Sequence, residues 1–382
     1  MANLINSSRM LWRNKYIPRA FVRLYSSDQA EKSLTFDFRS DTVTKPCSGM
    51  RSAMAEAPVG DDVFGDDPSV QKLEMYVRDL LQKEAAMFIP SGTMSNLIAL
   101  GTHCERANEI IIGNKSHIFK YEGGGASAFM GISYCTIPNQ NDGTLSLEDI
   151  EANIREDDPH CPKTTLICLE DTHNLCGGKP LPLGYASKVA EICKRNNLKL
   201  HLDGARLMNS AVALETPVAE LVSPFDTVSL CLSKGLGAPV GSVLVGSASF
   251  IQKARYLRKA LGGGMRQSGI LAAAGLFALQ NNIANLEQDH INAKRLAHGI
   301  SKIPGITVEP ESIKTNIIYF ELDSMNSEQF VSEMNNKGIL LGVHMLNKHG
   351  GGCLRTGHGR SPPVMFMSAT SHLSHSATAA KQ

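Results

Sequence analysis

The chain lacks the marks of several protein classes, and each absence narrows what it can be. None of its nine cysteines (47, 104, 135, 161, 168, 176, 193, 231 and 353) stands in a Cys-x-x-Cys pair, and several lie inside apolar runs. That scatter argues for a reducing compartment and against a disulfide framework or a metal centre of zinc type. No apolar stretch approaches the roughly 20 residues that a membrane-spanning helix needs. The formal net charge is only +1 with 20% charged residues, so there is no electrostatic footprint for nucleic acid. No repeat with a period of about 20 to 50 residues is visible. What remains is a chain of 382 residues, long enough for two domains and suited to small-molecule chemistry.

Acid is also missing from the first 27 residues, where Arg9, Arg13, Lys15, Arg19 and Arg23 alternate with Leu11, Trp12, Ile17, Phe21 and Leu24. A basic, serine-containing, amphipathic start of this kind resembles a mitochondrial transit peptide. Residues 1–33 are therefore expected to be a targeting segment and linker, with a cytoplasmic location as the alternative.

From residue 34 onward the chain alternates as a parallel sheet with crossover helices requires. Short apolar strands are expected at Ala85–Ile89, Ile110–Ile112, Thr165–Leu169, Leu198–Leu202, Thr227–Leu232 and Ser242–Val245, with helices at Met94–Cys104 and Gly184–Arg195. Two long helical patterns follow, Gln267–Asn281 and Ile283–Lys302, then a strand at Ile317–Leu322, a helix at Ser327–Lys337 and a strand at Ile339–Val343. The expectation is an α/β protein with a mainly parallel large domain over 34–282 and a smaller α/β domain over 283–346.

Two of the strands end on chemistry. One delivers Asp203-Gly204-Ala205-Arg206 and the other Ser233-Lys234-Gly235. In open α/β sheets ligands bind at that edge. A lysine that can form an imine and an acid that can keep a pyridine nitrogen protonated are what pyridoxal phosphate (PLP) requires of a protein. A third strand ends at Ser91-Gly92-Thr93 and leads into a helix, so backbone donors and a hydroxyl would face a phosphate at the positive helix end.

Longer strings carry a family resemblance. They are Phe38 to Thr44, Pro58 to Asp67, Pro90 to Asn96, His117 to Glu122, Leu169 to Asn174, His201 to Arg206, Cys231 to Gly235 and Gly262 to Gly269. Together they resemble the threonine aldolase family of fold type I PLP enzymes over roughly residues 36 to 345. The resemblance implies a carbon–carbon lyase, assembled as a homotetramer or homodimer with sites completed by a neighbouring subunit. It would cleave L-threonine or L-allo-threonine to glycine and acetaldehyde. It implies Lys234 as the imine-forming lysine, Asp203 as partner of the ring nitrogen and His117 stacked on the ring. Gly92 and Thr93 would hold phosphate, and Arg266 would reach a neighbour's cofactor. Ser40 and Arg206 would bind the substrate carboxylate. His117, His160 and Tyr121 would shape the pocket for the β-hydroxyl, with His117, His160 or a water as the base.

The carboxyl-terminal text departs from that pattern. The family continues with a strand whose arginine binds substrate carboxylate and then a closing helix. Here Asn347 to Arg360 is glycine-rich and offers only Arg355 or Arg360 in that role. The stretch after Ser361 lacks clear periodicity, so 347–382 is expected to be a disordered tail that leaves the faces of the last two strands uncovered. Two alternatives accompany the leading reading: an aldolase for a bulkier L-β-hydroxy amino acid, and a catalytically impaired form.

Overall fold

The structure is a computed structural model that describes residues 35–323, 325–344 and 364–368. Its strands are β1 (Phe36–Phe38), β2 (Ala85–Ile89), β3 (Asn108–Gly113), β4 (Ser133–Ile137), β5 (Lys163–Glu170), β6 (Lys199–Gly204), β7 (Thr227–Cys231), β8 (Ser242–Gly246), β9 (Ile306–Thr307), β10 (Ile317–Leu322), β11 (Ile339–His344) and β12 (Val364–Ser368).

Seven strands form one sheet in the order β2-β8-β7-β6-β5-β3-β4. All of them run one way except β8, which is antiparallel to both its neighbours. β7 and β8 are buried at every position, as expected where both faces of a sheet are covered and no polar alternation is needed. Helices Pro68–Leu80, Gly92–His103, Tyr185–Arg195 and Gly269–Asn281 supply that cover. Two of them carry a side-chain cap: Asp67 accepts from the amides of Ser69 and Val70, and Ser91 from that of Met94.

The second sheet, in the order β1-β11-β12-β10-β9, corrects two expectations. First, β1 pairs in parallel with β11, Phe36 opposite Ile339, so the start of the supposed large domain belongs to the small one. That pairing spans the length of the chain, and no local pattern announces it. Second, part of the supposed disordered tail is ordered. β12 lies antiparallel between β10 and β11, with Ile317 opposite Ser368 and Gly342 opposite Phe366. β10 and β11 run parallel to each other, and the backbone donors and acceptors on their facing edges need a strand between them. Val-Met-Phe-Met-Ser fills that slot, although five residues amid a polar, glycine-rich text give too short a signal to read.

The apolar faces are accordingly covered. Ile318, Phe320, Leu322, Leu341 and Met367 pack with Ala293 and Ala297 of helix Ile283–Ile300 in one core. Met367 is 6% exposed. Met367→Ala is expected to lower stability by about 2 to 3 kcal/mol, whereas Met75→Ala, at a position 49% exposed, should change it by less than about 0.5 kcal/mol. Urea unfolding measures both, and a neutral Met367→Ala would contradict the placement of β12.

Candidate active site

The carboxyl ends of β2, β5, β6 and β7 share one edge of the large sheet. Glu170 closes β5 and stands in register with Asp203 on β6. Lys234 follows β7, with Nζ 3.8 Å from Cys231 Sγ. At the end of β2, helix Gly92–His103 begins hard against the same cysteine: a Cβ on Gly92 would lie 2.6 Å from Cys231 Sγ. Glycine is required there by close approach. The amides of Gly92 and Thr93, in the first helical turn, have no acceptor within the helix and face the positive end of its dipole.

Asp203 is buried, with Oδ2 accepting from Asn96 Nδ2 at 3.0 Å and Oδ1 from the Ala205 amide at 3.1 Å. The same Asn96 amide donates to Glu122 Oε1 at 2.9 Å, and that oxygen is 2.9 Å from His117 Nδ1. The His117 backbone amide donates to Glu170 Oε2 at 2.7 Å. Tyr121 adjoins the imidazole with ring centroids 5.6 Å apart.

Charge follows from this crowding. Burial pushes the carboxyl of Asp203 above its usual range, and the neighbouring Glu170 adds to the push. Burial raises Glu122 likewise, against its hydrogen bond to His117. Burial alone would lower the His117 pKa, but the bond to Glu122 and the charges of Asp203 and Glu170 outweigh it and hold the imidazolium above its ordinary value. Glu122→Gln should therefore lower the His117 pKa, read from the ring-proton shifts in an NMR titration. An unchanged pKa would mean that Glu122 does not hold the proton on the ring.

Arg206, expected at the substrate carboxylate, already meets a partner within the chain. Its Nε and Nη2 reach the two carboxylate oxygens of Asp41 at 2.8 and 2.7 Å, and both side chains are buried. Asp41 Oδ2 also accepts from Asn316 Nδ2 at 3.2 Å, and Asn316 reaches Ser368 Oγ on β12 at 3.2 Å. One edge of the guanidinium is thus committed to the protein. Ser40 caps the short helix that carries Asp41, its Oγ accepting from the Thr42 amide at 3.2 Å.

Burial would raise the Asp41 pKa, but the charge and hydrogen bonds of Arg206 hold it below its ordinary value. Stability from this depressed carboxyl is present above its unfolded-state pKa of about 4 and is lost as pH falls through the folded value. Asp41→Asn should cost about 3 kcal/mol at neutral pH by stranding a buried arginine, and it should flatten the acid limb of a urea-unfolding profile. A variant that keeps that limb would place its origin elsewhere.

Lys234, Asp203, His117, Tyr121, Ser91, Gly92, Thr93, Arg206 and Ser40 thus belong to segments at this edge. His160 does not join them within the chain. It is exposed, bonded to Asp158 at 2.7 Å, in the loop that enters β5 at Lys163, the opposite edge of the sheet. A histidine beside an aspartate in a charged loop is satisfied locally, and this chain gives it no part in the constellation. Arg266 is half exposed and pairs with Asp61 at 3.0 Å. Arg355, and Arg360 beside it, lie outside the described residues, as does the basic amino-terminal segment. Four residues to which the sequence pattern assigns no role join this edge: Asn96, Glu122, Glu170 and Asp41. Each stands inside a family string, and Glu170 ends an apolar strand just as Asp203 does.

The donor set suits PLP. Three buried carboxylates converge where a protonated pyridine would supply positive charge, an imidazole lies beside them, a lysine amine stands just past the neighbouring strand and a helix start presents amides for phosphate. Fold and site together define the class of fold type I PLP enzymes.

Comparison with known proteins agrees. Residues 37–323 match the β-eliminating lyase family. The chain is 50% identical over 311 residues to low-specificity L-threonine aldolase 1 of Arabidopsis thaliana, covering 80% of this chain and 87% of that protein. Among solved structures it resembles the threonine aldolase of Leishmania major, with a TM-score of 0.73 at 21% identity over 88% of this chain and 94% of the other. It also resembles a variant serine palmitoyltransferase from S. paucimobilis solved with a bound PLP–myriocin aldimine, with a TM-score of 0.66 at 17% identity over 90% and 86% of the two chains. The chain belongs to the β-eliminating lyase family and, within it, to the threonine aldolases.

Proposed function

We propose that this protein is a PLP-dependent carbon–carbon lyase that cleaves L-threonine and L-allo-threonine to glycine and acetaldehyde. The observation that carries the reading is the placement of Lys234 and Asp203 at the ends of adjacent strands, with the His117 imidazole held beside Asp203 by Glu122. When bound, the cofactor supplies the electron sink for the pair left by the broken Cα–Cβ bond.

The chain's own residues hold and orient. Lys234 Nζ would attach the cofactor, the Asp203 carboxylate would face the ring N–H, and the amides of Gly92 and Thr93 with the Ser91 loop would take the phosphate. Asp41 fixes one edge of the Arg206 guanidinium. The remaining edge, with Ser40 nearby in sequence to Asp41, is the chain's candidate for the substrate carboxylate. The raised pKa of His117 suits it to hold a proton and donate it. That leaves a water to accept the proton of the β-hydroxyl as the carbon–carbon bond opens.

The reading extends to assembly and place. A homotetramer or homodimer is supported by large apolar side chains left exposed, Phe64 at 82%, Phe129 at 66% and, beside His117, Tyr121 at 49%. Mitochondrial import is supported by the basic, acid-free start of the sequence.

The test is acetaldehyde release from L-allo-threonine by the purified chain with added PLP, set against Lys234→Ala. Lysine-dependent release is expected, with the variant losing covalent cofactor attachment and almost all turnover. No release with the cofactor band present would favour a bulkier β-hydroxy amino acid. Neither release nor band would mean that this chain is an impaired form.

A further inference from the structure

Behind the site runs a chain of hydrogen bonds whose direction follows once the two acids at its end are ionised. It begins at His103, which ends helix Gly92–His103, where Nε2 lies 2.8 Å from Thr227 Oγ1. His201 Nδ1 is 2.9 Å from the same hydroxyl, and His201 Nε2 is 3.2 Å from Asn96 Oδ1. The Asn96 Nδ2 hydrogens then reach Glu122 Oε1 and Asp203 Oδ2.

An ionised carboxylate only accepts, so the amide must present its NH2 to the two acids and its oxygen to His201. His201 must then donate from Nε2 and accept at Nδ1. Thr227 gives its proton to His201 and is left to accept from His103. Every donor points toward the active site. Burial holds His201 neutral by lowering its pKa to about 3, and lowers His103 to about 4, so neither carries a competing charge at working pH. Asn96 and His201 are buried, at 1% and 0% exposure, and no solvent can replace either partner.

We propose that Asn96 is a positioning residue for the cofactor. Its amide, locked in orientation by His201, holds the Asp203 carboxylate against the ring nitrogen and keeps two neighbouring acids from competing for one proton. Like charges this close normally drive one carboxyl to protonate. A shared NH2 that donates to both disfavours that outcome, and a protonated Asp203 could not support a protonated ring. This inference rests on the PLP reading above and assigns a role to a residue with no chemistry of its own.

Two variants of the full chain test it: Asn96→Asp, which keeps shape but removes both donors, and His201→Phe, which keeps volume but frees the amide to turn. Two readouts serve: the dissociation constant of PLP by absorbance titration, and the 15N chemical shift of ring-labelled PLP, which reports protonation of its nitrogen. Asn96→Asp should weaken PLP binding by on the order of tenfold or more and move the 15N shift toward neutral pyridine. His201→Phe should move both in the same direction by less.

A role in packing alone predicts the reverse, with the isosteric Asn96→Asp close to wild type. Wild-type affinity and 15N shift in Asn96→Asp would overturn the inference while leaving the cofactor reading intact. A wild-type chain that binds no PLP would overturn that reading, and the inference with it.

Discussion

A buried guanidinium tolerates no vacancy opposite it, and this structure is braced around that fact. Arg206 follows β6 in the large sheet, Asp41 follows β1 in the small one, and their two-point contact is shielded from water. Asn316, just before β10, bonds the same aspartate, and Ser368 at the end of β12 bonds Asn316. Four distant segments therefore meet on one ion pair. Desolvation makes such a pair costly to form and more costly to break on one side. That asymmetry favours a single arrangement of the two sheets around the site edge.

At the site itself the governing constraint is surplus negative charge. Glu170, Asp203 and Glu122 crowd the ends of adjacent segments, and Glu170 is held ionised despite burial by the charge of His173 and the amides of Asn174 and His117. Such a cluster is stable only with cations or donors among its members. His117 and Asn96 supply part of that need from within the chain, and the protonated ring of the cofactor accounts for more of it. Binding and catalysis are thus prepared by the same electrostatic demand.

Much of this was legible in the sequence because it is local. Short apolar runs ending in Asp203 and leading to Lys234 mark strand ends, and strand ends in a parallel sheet share an edge. Ser91 announces its helix through side-chain capping. The misreadings share a different cause. β1 and β12 are three and five residues long and owe their conformation to partners far along the chain. That Asp41 occupies one edge of the Arg206 guanidinium is hidden for the same reason, since nothing within the sequence shows the two facing each other. Asn96 stands in the segment from Pro90 that carries the family resemblance, yet its importance depends on Glu122 and His201 approaching from two other elements.

The small sheet also carries a consequence for how the protein is made. β11 is flanked by β1, from residue 36, and by β12, which ends at residue 368. The large sheet can close as soon as β8 emerges from the ribosome. The small one must wait for nearly the whole chain, holding an early strand unpaired for some three hundred residues of synthesis. Contacts of such high sequence separation are slow to form and leave sheet edges exposed meanwhile. Nascent chains of this protein should therefore be clients for chaperones until β12 has been made, and Asp37 in the middle of the waiting strand, paired with Arg39 just beyond it, is the kind of edge charge that discourages wrong pairing.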